Sequence, residues 1–154
     1  MAKTVGFDQL GQALSKMVAK AAGQGMEVSS KVYRASGIQL FSDVIERTPV
    51  DEGRLRGNWF VSVGSPSSET TSSKAAQNPA SKMPKDAIKK KVFLTNNLPY
   101  AETVEFGKFG KGDGKTGKTT GSGYSSQAPA GMMRISVRRW PAILKTIAAK
   151  QAAK

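Results

Sequence analysis

The chain has 154 residues, the usual size of one domain, and 38% of them are apolar, enough for one modest core. It contains no cysteine and no histidine, which excludes disulfides and thiolate metal sites and removes the commonest general base, leaving a poor inventory for an enzyme. A formal charge of +13 points to anionic surroundings, while no apolar run approaches the roughly 20 residues that span a bilayer.

The N-terminal residues Met1-Ala2-Lys3-Thr4-Val5-Gly6-Phe7 lack the uninterrupted apolar stretch of a signal peptide. A soluble protein made in a cytoplasm, with no membrane partner, is therefore expected. Residues 7–22 place Phe7, Leu10, Leu14, Met17, Val18 and Ala21 on one stripe, which predicts a helix. A second, longer helix is predicted over 27–47, with Tyr33, Gly37, Leu40, Phe41, Val44 and Ile45 on one face. Thr48-Pro49 should stop it, because proline disfavours α geometry in the residue before it.

After the turn Asp51-Glu52-Gly53, the residues Leu55, Gly57, Trp59, Val61 and Val63 alternate with mostly polar ones. Period two with aromatic and β-branched residues predicts a half-buried antiparallel strand from Leu55 onward. Residues 64–88, rich in Ser, Thr, Ala, Pro and Lys, read as a long hairpin loop or a disordered excursion. A second strand is predicted over 89–97 and a short helix over 100–107, capped by Gly107. Residues 107–126 hold seven of the sixteen glycines and are expected to form a mobile loop. From Ala130 to about Ala149, Met133, Val137, Trp140, Leu144 and Ile147 favour a final helix. Pro141 could kink it or divide a strand from a helix, since Ile135 and Val137 also fit a strand. The expected fold class is α+β: N-terminal helices packed on a small antiparallel sheet with long loops and a C-terminal helix, in one domain spanning 1–154.

Gly112-Asp113-Gly114-Lys115-Thr116-Gly117-Lys118-Thr119 matches the phosphate-binding pattern GxxxxGK[ST]. That chemistry needs a strand before the loop and a helix directly after it, and neither flank has the composition for one. Asp51 with Glu52, and Glu102 with Glu105, are pairs of acids, but Glu102 and Glu105 at i and i+3 share one helical face and leave no cleft between them. A turn and solvated or intersubunit ion pairs explain them better. Trp59 and Trp140 fall on apolar periods and read first as core, then as interface anchors. No catalytic, cofactor or metal site is expected. The charge is uneven: residues 65–98 carry 6 basic and 2 acidic side chains, and residues 121–154 carry 6 basic and none acidic.

Three segments taken together carry a resemblance. They are residues 48–59 (Thr48-Pro49-Val50-Asp51-Glu52-Gly53-Arg54-Leu55-Arg56-Gly57-Asn58-Trp59), residues 96–107 (with Asn97, Tyr100, Ala101, Glu105 and Gly107), and residues 127–133 around Pro129. Their order and spacing resemble the tail-component, or tail-completion, family of long-tailed phages, of the lambda-type minor tail protein Z kind. That family carries a "TP-x-DTG-x-L" turn, an "N-x-x-x-YA-x-x-(V/L)E-x-G" motif and a proline-containing approach to the last element. Glu52 stands here in place of the family's threonine.

The resemblance implies a non-enzymatic neck protein in the virion, completing the head-proximal end of the tail as a ring, usually hexameric, around the DNA channel. Its implied partners are further copies of itself, the tail tube or tail terminator protein, the head–tail connector proteins, the tape measure protein, and phage DNA bound without sequence preference. Lys89, Lys90, Lys91, Arg134, Arg138 and Arg139 are the candidates for channel-facing or partner-facing charge. A tail terminator ring and a free, non-specific DNA-binding protein are the alternatives.

Overall fold

The computed structural model describes residues 30–110 and 118–153; the helix expected over 7–22 lies outside them. The long helix α1, Ser30–Arg47, buries Val32, Ser36, Leu40, Val44 and Ile45. Tyr33 and Phe41 pack half-buried against the same core. The helix ends where Thr48-Pro49 requires it to. The Thr48 hydroxyl, itself buried, donates back to the Val44 carbonyl at 2.8 Å and accepts from Trp59 Nε1 at 2.8 Å. Arg56 Nη2 satisfies the free carbonyls of Glu46 and Thr48, both at 2.9 Å.

The strand expected from Leu55 is shorter than its alternation suggested. Arg54–Gly57 is a single helical turn, α2, opened by Gly53 at φ 87°, and strand β1 is confined to Phe60–Val63. Leu55 and Trp59 are both buried, and a spacing of four satisfies a helical face as well as a strand's alternation. The turn is held from outside: Asn58, fully buried, donates to the carbonyls of Arg54 (2.7 Å) and Thr71 (2.9 Å) and accepts from Thr71 N–H (2.8 Å).

Residues 64–88 do form the connection of a long hairpin, but one with structure of its own. It contains the turn α3, Pro79–Lys82, capped by the Asn78 side chain, and a 3-10 turn at Ala87–Lys89. The connection is tied to α1 through Ser30 Oγ to the Lys85 carbonyl and through Arg34 to the carbonyls of Ala80 and Met83. Strand β2, Val92–Thr95, pairs antiparallel with β1, Phe60 facing Thr95 and Val63 facing Val92. It is shorter than the 89–97 expected, because Lys89 belongs to the 3-10 turn. In this register Val61 and Val63 aim their backbone groups away from β2, and Val92 and Leu94 away from β1, so these groups have no strand partner among the described residues.

Helix α4, Ala101–Phe106, ends at Gly107 in the left-handed conformation (φ 67°), as the glycine cap predicts. Only glycine fits there twice over, since a Cβ would also lie 2.6 Å from the Tyr124 ring. The final helix α5, Met133–Ala152, runs continuously through Pro141, which settles helix over strand at 133–137. It packs along α1, where the rings of Tyr33 and Trp140 meet edge to face at 6.3 Å. Arg139 reaches Asp43 of α1 at 3.3 Å. Helices and sheet share one core, from Val32 and Val44 through Trp59 and Leu94 to Met132 and Trp140, which gives the α+β architecture expected. Each large apolar side chain buried there contributes about 1.5–3 kcal/mol. No helix among the described residues is long and apolar enough to cross a membrane.

Candidate functional site

Residues 48–59, 96–107 and 127–133 are distant in sequence and bonded to one another in space. Asn96 Nδ2 donates to the Leu55 carbonyl at 2.9 Å, joining the second to the first. Gln127 joins the third to the first. Its side-chain amide accepts from Val50 N–H at 2.8 Å and donates to the Val50 carbonyl at 3.0 Å, so one side chain serves as a strand partner for one residue.

Glu105 joins the second segment to the third. Its carboxylate accepts from the backbone N–H groups of Met132 (2.7 Å), Met133 (2.8 Å) and Arg134 (3.0 Å), and from Arg134 Nε at 3.1 Å. These are the unsatisfied donors at the start of α5, whose own cap position, Met132, offers no side-chain acceptor. An acid there also meets the positive end of the helix dipole. Glu105 is buried, so the expectation of a solvated or intersubunit carboxylate is corrected for this residue. Glu102 does pair at the surface, with Lys108.

Arg134 completes the knot. Its Nη2 donates to the Glu105 carbonyl (2.6 Å) and the Tyr124 hydroxyl (3.0 Å), and its guanidinium lies 4.9 Å from the centre of the Phe106 ring. The hydrogen bond to Tyr124 and those to Glu105 together outweigh burial and push the guanidinium up from its ordinary value. Residues 118–126, part of the loop expected to be mobile, form a compact hairpin held by Ser126 N–H to the Lys118 carbonyl (3.0 Å) and Thr120 N–H to the Tyr124 carbonyl (2.7 Å). Phe109 N–H joins it through the Gly123 carbonyl at 3.1 Å. Lys118 and Thr119, the described end of the GxxxxGK[ST] match, therefore lead into a hairpin and not into the helix that phosphate binding needs.

Between the three segments opens a cleft of about 710 Å³. It is lined by Pro49, Asp51, Gly53 and Leu55 of the first segment, by Tyr100 and Val104 of the second, and by Phe109, Lys118, Thr119, Ser125, Ser126 and Gln127. Ala101 and Trp59 are buried, and Pro129 bridges to Gly131 just before α5. Asn97 takes no part in the cleft; its amide holds the carbonyls of Ser67 and Glu69 at 2.8 and 2.9 Å.

Of the six candidate basic residues none lines the cleft. Lys89, Lys90 and Lys91 are exposed on and after the 3-10 turn, with Lys90 3.5 Å from Asp86. Arg138 is exposed on α5. Arg134 and Arg139 are engaged with Glu105 and Asp43. The sequence did not reveal the roles of Gln127, Phe109 and Glu105. One signal was present for the last: Gly131-Met132-Met133-Arg134 opens a helix with no capping side chain and no acid, so an acceptor had to come from elsewhere. Comparison with known protein families, curated proteins and solved structures finds no match to this chain.

Proposed function

We propose that the chain is a structural virion subunit that completes the head-proximal end of a phage tail and joins it to the head connector, as a ring around the DNA channel. The observation that carries this reading is the convergence of the three motif segments. Residues 48–59, 96–107 and 127–133, which resemble the tail-completion motifs, are the segments bonded together by Asn96, Gln127 and Glu105 around one open cleft. A motif set that builds one surface, and brings together no nucleophile, base and orienting group, suits assembly better than turnover.

Two features suit self-association: the cleft, and the outward backbone groups of β1, which have no strand partner among the described residues. The positive net charge suits a subunit that works beside nucleic acid without reading its sequence.

The test is cryo-electron microscopy of the neck of particles assembled with this chain, alongside particles from which its gene is deleted. The expected result is a ring of this fold between tail tube and head connector, lost on deletion together with head–tail joining. A ring seated directly on the last tube ring, with overlong tails on deletion, would assign it as the tail terminator instead. Particles lacking the chain, with unchanged infectivity on deletion, would leave the free DNA-binding reading.

A further inference from the structure

Residues 82–91 carry Lys82, Lys85, Lys89, Lys90 and Lys91 against a single acid, Asp86, which lies 3.5 Å from Lys90. The stretch is seated on the first turns of α1. Arg34 Nε and Nη2 donate to the carbonyls of Met83 and Ala80, both at 3.2 Å, and Ser30 Oγ donates to the Lys85 carbonyl at 3.1 Å. Met83 and Ala87 are buried, while all five lysines are exposed. Lys31, next to Ser30 on α1, is exposed as well. Lys31, Lys82, Lys85, Lys89 and Lys91 have no ion-pair partner among the described residues. We propose that this lysine-bearing surface binds the phosphate backbone of duplex DNA without reading its sequence. The proposal names the surface through which the chain meets nucleic acid, and it holds whether or not the chain forms a ring.

The chemistry of the stretch selects this partner. A protein interface is depleted in lysine at its centre and draws on aromatic and arginine anchors; residues 82–91 have five lysines and neither of those anchors. Single strands are held by stacking bases on aromatic rings, and there is no ring here to stack on. Base edges are read by arginine, asparagine and glutamine, and the stretch contains none of them. A membrane surface would need apolar side chains to insert beside the cations, and Ile88 is the one large apolar side chain exposed in this stretch. Mobile point charges are what duplex phosphates require, since each lysine that neutralises a phosphate releases a counterion. The basic residues of α5 are a weaker candidate. Arg134 and Arg139 are held by Glu105 and Asp43, and the exposed Arg138, Lys145 and Lys150 are spread along the helix.

The test is the affinity of the full chain for short duplexes of two unrelated sequences, measured by fluorescence anisotropy over a series of salt concentrations. Equal affinity for both is expected, with a slope of log affinity against log salt of about −4.5 for the unpaired lysines at about 0.9 each. The triple variant Lys85→Gln, Lys89→Gln and Lys91→Gln should flatten that slope by about 2.7. Removing the same charge from α5, by Arg138→Gln, Lys145→Gln and Lys150→Gln, should leave it within about 0.5 of the unchanged chain. Asp86→Asn provides a gain that misfolding cannot imitate. The Asp86 side chain caps nothing and holds only Lys90, so its neutralisation should free that lysine, tighten binding and steepen the slope by about 0.9. No binding by the unchanged chain would overturn the proposal, as would equal losses from the two triple variants, which mean net charge alone. Tighter binding to single strands would overturn the duplex assignment. If the lysine variant keeps its duplex affinity and instead loses retention on phosphatidylserine vesicles, or loses neck assembly, the surface serves a membrane or a protein and the proposal fails. Duplex binding through these lysines by a chain absent from the neck would overturn the phage reading alone; a neck ring whose chain binds no duplex would overturn this proposal alone.

Discussion

The segments around the cleft and the lysine-bearing end of the hairpin connection are held by different means. Around the cleft, side chains far apart in sequence satisfy backbone groups that have no local partner: Glu105 for the start of α5, Gln127 for Val50, Asn96 for Leu55. At the lysine-bearing end, residues 85–91, the bonds are mostly local: Lys89 N–H to Asp86, Lys90 N–H to Ala87, and Lys90 beside Asp86. The rest of the connection is fastened to the body at long range, by Asn58, Arg34 and Asn97. Removing a buried acceptor that serves several donors strands them all, whereas removing a solvated charge strands nothing. The same protein should therefore answer substitution very differently in its two regions.

The largest effect is expected at Glu105. Glu105→Ala leaves three helix N–H groups and Arg134 Nε without their acceptor, while Arg134 Nη2 keeps the backbone carbonyl and the Tyr124 hydroxyl. It should destabilise the fold by about 3–4 kcal/mol in chemical denaturation. Glu105→Gln keeps one acceptor oxygen and should cost roughly half as much. A loss below about 1 kcal/mol for the alanine variant would mean that water replaces the carboxylate, and that the knot does not hold these segments together.

Asn58 comes next, and it joins the two regions. Asn58→Ala removes two donated bonds and one accepted bond from a fully buried side chain, freeing Thr71 from α2. A loss of about 2–3 kcal/mol is expected, accompanied by faster amide exchange at Thr71. Unchanged exchange there would show that the connection is held by its other ties.

The sequence made some of this legible and hid the rest for a physical reason. Helix α1, its stop at Thr48-Pro49, the glycine end of α4 and the long helix α5 were visible because each depends on local periodicity or on one local conformational rule. The turn α2 was hidden because Leu55 and Trp59, four apart, satisfy helix and strand alike. What decided between them was Asn58 bonding to Thr71, a contact thirteen residues away. The cleft was hidden for the same reason on a larger scale. Its segments were each recognisable, but the bonds that join them come from Gln127 and Glu105 across 77 and 27 residues, and no periodicity reports such pairs. Glu102 and Glu105 show the limit most plainly. They are three residues apart on one short helix, yet one pairs at the surface and the other caps a helix from inside.

The smallest effect on folding is expected from Lys90→Ala. Lys90 and Asp86 are about half exposed and 3.5 Å apart at i and i+4, a pair of the kind that contributes little in water. The variant should keep its stability to within about 0.5 kcal/mol, measured beside Glu105→Ala under the same conditions. A loss of about 1 kcal/mol or more would instead place Lys90 within the fold's own electrostatics, and the difference between the two regions would be one of degree.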